Sequence, residues 1–214
     1  MSTDRFEAHD YYNMDDLLTD EHKLIRDAAR AWVKKEVSPI IEDYYERAEF
    51  PSQIVPGFGE IGGFGPYIPE QYGDAVVDQI SYGLIMKELE RYESGLRCTS
   101  SVQSSLVMYP ISKFGSEEQR MKYLTKLATG EFIGCFGLTE PDHGSNPGGM
   151  ITNIKDMGDH YILNGAKMWI SNAPFADVAV VWEKNEAGRI KGMVVERGME
   201  GFETPEMHGK HSLR

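Results

Sequence analysis

Cys135-Phe136-Gly137-Leu138-Thr139-Glu140-Pro141-Asp142-His143-Gly144-Ser145-Asn146 marks the place where this 214-residue chain changes character. Upstream, to about residue 130, the signals are helical. Thr19 can cap a helix, with Asp20 and Glu21 in the favourable first turn. Leu18, Ile25, Ala29, Trp32 and Val33 follow at helical spacing until Ser38-Pro39 breaks the run. Further helices are expected over 40–47, 52–62 and 77–92, the last with Tyr82, Ile85, Met86 and Leu89 on one face and Gly95 ending it. The stretch 64–74 reads as a loop, and 98–114 as a buried helix carrying Val102, Leu106 and Val107. Ser116-Glu117-Glu118-Gln119 forms a capping box for a helix that runs to Gly130.

Downstream the period shortens. Strands are expected over 132–138, 161–163, 167–171, 178–182 and 191–196. Asn164-Gly165 reads as a hairpin turn between two of them, and Ala187-Gly188 as another. A helical block followed by a strand block is a segregated α+β arrangement: an all-helical domain over 1–130, then an incomplete antiparallel β domain over 131–214. Five or so strands neither close a barrel nor cover both faces of a sheet, so a further segment is expected beyond this chain.

Composition narrows the function. Hydrophobic residues make up 41% and charged residues 26%, which is ordinary for a globular protein. The formal charge of -12 disfavours nucleic acid as a partner, and an acidic ligand needs a local basic contact. No apolar run is long enough to span a membrane, and the start, with Asp4, Glu7 and Asp10, does not read as a secretory signal. Cys98 and Cys135 read as reduced thiols with no neighbours for a metal site.

Two segments carry the chemistry. The Cys135–Asn146 stretch ends a strand at the Thr139 hydroxyl and enters a Gly144-Ser145 turn rich in backbone N–H groups, which suits a phosphate or the edge of a flavin ring. It also reads as a plain strand with a surface turn. Lys167-Met168-Trp169-Ile170-Ser171-Asn172 places a tryptophan beside a small hydroxyl residue, which could flank an aromatic ring or simply fill the core.

Together, in this order and spacing, the segments resemble the two signature stretches of the acyl-CoA dehydrogenase family, and the resemblance covers nearly the whole chain. It implies FAD held between a middle β domain and a carboxy-terminal helical bundle. It implies Phe136, Gly137, Leu138 and Thr139 along the isoalloxazine, Gly144 and Ser145 in the cofactor-binding turn, and Ser145 also toward the CoA portion of the substrate. Trp169 would shield one side of the ring, with Ile170 and Ser171 in contact. A third segment, Glu88-Leu89-Glu90-Arg91-Tyr92-Glu93-Ser94-Gly95-Leu96-Arg97 leading to Ser101-Val102-Gln103-Ser104-Ser105-Leu106, resembles the glutaryl-CoA dehydrogenase branch. There, Arg97 and Cys98 would stand at the free carboxylate of the acyl chain, since a buried carboxylate needs a fixed opposite charge and guanidinium offers two prongs. Read without the resemblance, Arg97 is better explained as capping the preceding helix or pairing with Glu90 or Glu93. Cys98 stands where that branch has serine, and Asn146 where the wider family has aspartate. Glu140 is implied to be structural, and His143 reads as a surface-loop histidine.

The resemblance further implies oxidation of an acyl-CoA thioester at Cα–Cβ, with decarboxylation to crotonyl-CoA in the glutaryl branch. Electrons would pass to electron-transfer flavoprotein. A homotetramer is implied, in the bacterial cytoplasm or the mitochondrial matrix. The catalytic glutamate belongs to the carboxy-terminal helical domain, so no catalytic residue is assigned here. Another short-chain acyl-CoA oxidation, or a non-catalytic fragment, are the competing readings.

Overall fold

The computed structural model describes residues 10–73 and 77–213; Asp4, Glu7, Asp74 and Arg214 fall outside them. Helix α1 (Asp20–Trp32) starts where the Thr19 hydroxyl accepts from His22 N–H at 3.2 Å, and the Thr19 amide N–H donates to His22 Nδ1 at 3.2 Å. It passes into a π-helical turn (Val33–Val37) and stops at Ser38-Pro39. Helices α2 (Ile41–Arg47) and α3 (Val55–Glu60) follow. Helix α4 (Gln79–Glu90) packs on α1. Fully buried Glu88 takes two hydrogen bonds from Arg30, at 2.8 and 3.0 Å, across that contact.

Gly95 does not end α4. Glu93 caps a new helix, α5 (Ser94–Ser101), by accepting from Leu96 N–H at 2.6 Å, so Gly95 lies in its first turn. Helix α5 runs through a π segment (Val102–Met108), in which Leu106 is exposed rather than buried, into α6 (Tyr109–Phe114). The Ser116 and Gln119 capping box starts α7 (Glu117–Ala128) as expected.

The sheet contains β1 (Gly134–Gly137), β2 (Asn153–Asp156), β3 (Tyr161–Asn164), β4 (Val178–Lys184) and β5 (Ile190–Glu196). The expected segregation of helices from strands is observed, but the sheet is mixed rather than antiparallel. Central β4 pairs parallel with β1 and with β2, and antiparallel with β5. The cause is the long excursion between β1 and β4, which returns the chain in the same direction, as a parallel pair requires.

The hairpin also lies elsewhere. β3 pairs with β2 through a turn containing Gly158 (φ 98°), and Asn164-Gly165 closes none. β2 escaped notice because Asn153-Ile154-Lys155-Asp156 offers one apolar residue. The stretch 167–171 is no strand at all: Trp169 sits at φ 61°. The Ala187-Gly188 turn joins β4 to β5 as read, with Gly188 N–H on Asn185 O at 2.8 Å.

Strand alternation divides the sheet's faces. Val178 and Val180 pack into the main helical core, while Ala179 and Val181 join Cys135 and Val195 in a smaller cluster on the other face. Buried Gln103 fixes β1 to the helices. Its amide donates to Leu127 O (2.9 Å) and Phe132 O (2.8 Å) and accepts from Gly134 N–H (2.7 Å). No helix among the described residues is long and apolar enough to cross a membrane.

Candidate functional site

The bend after β1 and the segment before β4 lie against each other. Met168 N–H donates to Thr139 O at 2.9 Å, and the Lys167 ammonium donates to Leu138 O at 3.0 Å and to Glu140 Oε1 at 2.9 Å. Glu140 is 3% exposed and also accepts from Ile151 N–H (2.8 Å), Thr152 N–H (2.9 Å) and the Thr152 hydroxyl. Burial alone would raise its pKa. The donors from Ile151, Thr152 and Lys167 outweigh burial and hold the carboxyl down to about 2. Glu140 is thus a permanently ionised clasp with its oxygens engaged, which makes it unsuited to proton transfer.

Gly165 allows this closure. Its φ is 154°, and a Cβ there would meet the Thr152 hydroxyl at 2.4 Å and Thr152 Cα at 2.7 Å. Gly165→Ala is therefore expected to push Thr152 off Glu140 and to lower the unfolding free energy by about 2 kcal/mol. Urea denaturation checks this; an unchanged midpoint would contradict the close approach.

Beyond Lys167 the chain turns sharply. Trp169 (φ 61°) and Asn172 (φ 68°) both take the left-handed conformation, which asparagine tolerates but which costs of order 1–3 kcal/mol for a bulky residue such as Trp169 and persists where surrounding contacts enforce it. Trp169 is 61% exposed, Ile170 packs on the smaller cluster, and the Ser171 hydroxyl lies 3.3 Å from Cys98 Sγ on α5. A hollow of about 1610 Å³ has Cys98, Gly137, Lys167, Trp169, Ile170 and Ser171 among its walls.

The other expected residues lie apart from those walls. Phe136 points to the helical side of the sheet and packs edge-on against Trp182 at 5.9 Å, because alternation gives the hollow face to Cys135 and Gly137. Leu138 and Thr139 are half-buried in the bend, and Gly144 and Ser145 occupy an exposed turn. His143 closes that turn through its backbone, donating to Glu140 O at 3.2 Å.

Arg97 and Cys98, adjacent on α5, face different spaces. The Arg97 guanidinium donates to Glu90 at 2.6 Å and to the Ser101 hydroxyl at 3.4 Å, and it borders a smaller hollow of about 660 Å³ beside Tyr45 and Tyr92. Its hydrogen bond with Glu90 raises the Arg97 pKa, so the cation is permanent.

Two features escaped the sequence reading. The role of Lys167 could not be seen, because its partner lies 27 residues away. Glu183, on β4, is 1% exposed, and its Oε2 has no hydrogen-bond partner. Burial raises its carboxyl to about 7, against the opposing field of Lys167.

This geometry accompanies a sequence pattern that is specific. The acyl-CoA dehydrogenase N-terminal domain matches residues 19–131, and the acyl-CoA dehydrogenase middle domain matches residues 135–214. The chain belongs to the acyl-CoA dehydrogenase family. A glutaryl-CoA dehydrogenase from Mycobacterium smegmatis, solved in complex with FADH2, superposes with a TM-score of 0.92 at 44% identity, covering 94% of this chain and 52% of that one. The probable acyl-CoA dehydrogenase YngJ of Bacillus subtilis is 36% identical over 92% of this chain and 53% of its own length. The glutaryl-CoA dehydrogenase of Desulfococcus multivorans is 35% identical over 93% of this chain and 54% of its own. This acyl-CoA dehydrogenase chain therefore spans about half the length of the curated relatives it matches.

Proposed function

We propose that this chain supplies the helical domain (1–130) and part of the middle β domain (131–214) of an FAD-dependent dehydrogenase that oxidises glutaryl-CoA at Cα–Cβ. The observation that carries the reading is the Glu140–Lys167 clasp, which lays the bend after β1 beside the Trp169 turn. Backbone amides of Gly137 to Thr139, the Thr139 and Ser171 hydroxyls, and the exposed Trp169 ring are the groups to border an isoalloxazine, with Gly144 and Ser145 toward its phosphate-bearing side. FAD, when bound, supplies the acceptor for the β hydride. The chain's residues orient the ring, exclude water from one side through Trp169, and direct donors at the edge where negative charge grows. No residue of this chain is proposed as the base for the α proton. Electron-transfer flavoprotein as acceptor and a homotetrameric assembly belong to the same proposal.

Arg97 sets the substrate. Its fork has five donors, and Glu90 and Ser101 engage only part of that capacity, so the guanidinium can also receive the distal carboxylate of a glutaryl chain. In the full-length protein, Arg97→Ala is expected to lower kcat/KM for glutaryl-CoA by about 100-fold or more while changing that for butyryl-CoA less than about 3-fold. Equal losses on the two substrates would refute the carboxylate role. They would favour the second reading, oxidation of a mono-acid acyl-CoA, which the existing Arg97–Glu90 pairing already supports.

A further inference from the structure

Two adjoining hollows, both bordered by Ser212 and Leu213, meet at helix α5: Arg97 lines the smaller, and Cys98 and Thr99 line the larger. Two side chains of the Trp169 turn reach across the larger hollow's wall to that helix. Asn172, 5% exposed, donates from Nδ2 to Thr99 O on α5 at 3.4 Å and to Gly134 O on β1 at 3.0 Å. The preceding Ser171 places its hydroxyl 3.3 Å from Cys98 Sγ. We propose that Asn172, assisted by the Ser171–Cys98 contact, is a positioning residue that sets the Trp169 ring from helix α5 and β1 at once.

Three observations converge on this role. The buried Asn172 amide bridges carbonyls of two separate elements through Nδ2 alone, its Oδ1 having no partner, and bonding both carbonyls fixes its position in three dimensions. The carbonyl it uses on α5, which also accepts from Val102 N–H, lies three residues before the π segment Val102–Met108, a local departure of the kind often found at functional sites. Trp169 holds left-handed backbone that is unfavourable for a bulky residue, whereas Asn172 is of a type that tolerates it, so contacts from outside the turn help to hold the shape at Trp169. The pin also places Arg97 and Trp169 on opposite ends of one rigid unit: α5, Cys98/Thr99, Ser171/Asn172, turn. On the proposed reading these ends meet the acyl tail and the flavin ring respectively, and the inference that the pin serves catalysis rests on that reading.

Asn172→Gly tests it, because glycine accepts the positive φ while removing the side chain that carries the amide. In this chain labelled with 5-fluorotryptophan, the ¹⁹F line of Trp169, identified by Trp169→Phe, is expected to shift or broaden while the Trp32 and Trp182 lines stay in place. In the full-length FAD-loaded enzyme, kcat is expected to fall about 10-fold or more with KM for the acyl-CoA changed less than about 3-fold. An unmoved Trp169 line together with kcat within about 3-fold of the parent enzyme overturns the proposal. Should Asn172→Gly fail to fold, Cys98→Ala carries the test, with a smaller displacement of the same ¹⁹F line expected and an unmoved line overturning it. A displaced Trp169 line in a protein whose full-length parent oxidises no acyl-CoA would leave the pin standing and sink the proposed function instead.

Discussion

Glu140→Gln is expected to release the bend after β1 from the Trp169 turn and to lower the unfolding free energy by about 3 kcal/mol at pH 7. The glutamine has one acceptor oxygen in place of two, so its NH2 group would face either the N–H of Ile151 or that of Thr152, which now donate to separate carboxylate oxygens. It would also leave the Lys167 ammonium, whose side chain is 11% exposed, without its counter-charge. The size follows from the depressed pKa: a carboxyl held at about 2 in the fold, against 4.5 for the free group, corresponds to about 3 kcal/mol. That stabilisation is fully present above pH 4.5 and is lost as pH falls toward 2. Urea titrations of the two proteins at pH 7 and pH 3 measure it, with the gap closing at low pH. A gap that did not depend on pH would show that Glu140 acts through shape and not charge.

Glu183 works in the opposite direction and should dominate above pH 4.5. Its carboxyl is raised to about 7 by burial, from 4.5. The folded state therefore retains a proton that the unfolded chain loses, and stability is greatest below pH 4.5 and declines as pH rises through 7. The slope is at most about 1.4 kcal/mol per pH unit, for a total of about 3 kcal/mol. Glu183→Gln keeps the shape and removes the titration, so its unfolding free energy should stay level from pH 4.5 to 8 while that of the parent protein falls. At pH 8 the variant should be the more stable by about 2–3 kcal/mol. Parallel curves for the two would mean that Glu183 gains a partner in solution. Taken together, Glu140 and Glu183 place the stability maximum close to pH 4.5.

Much of the fold was legible because the signals are local. Thr19 and Ser116 start helices with side-chain caps that need only the next three residues, and Ser38-Pro39 stops one by steric exclusion. β4 and β5 announce themselves as apolar runs around an Asn185–Gly188 turn. The failures are equally specific. Asn164-Gly165 has the composition of a hairpin turn, yet β3 had a nearer partner in β2, whose polar sequence hides a strand with little to bury. Gly95 has the look of a helix terminator, but the Glu93 cap overrides it. The expected contacts of the site were legible as two stretches and not as side-chain directions: Phe136 and Gly137 are neighbours in sequence, but adjacent strand residues face opposite sides.

By itself, then, the sequence determined the order of helical and β blocks, most element boundaries, the family, and the two stretches that meet. Caps, breaks and strand patterning act over a few residues, so they can be read along the chain. Only the tertiary structure decided the parallel pairing of β1 with β4, the meeting of Lys167 with Glu140, the division of Arg97 from Cys98 between two hollows, and the burial of Glu183. Each of these depends on which groups lose water together when distant segments pack. That desolvation decides whether a charge becomes a clasp, as at Glu140, or a proton holder, as at Glu183.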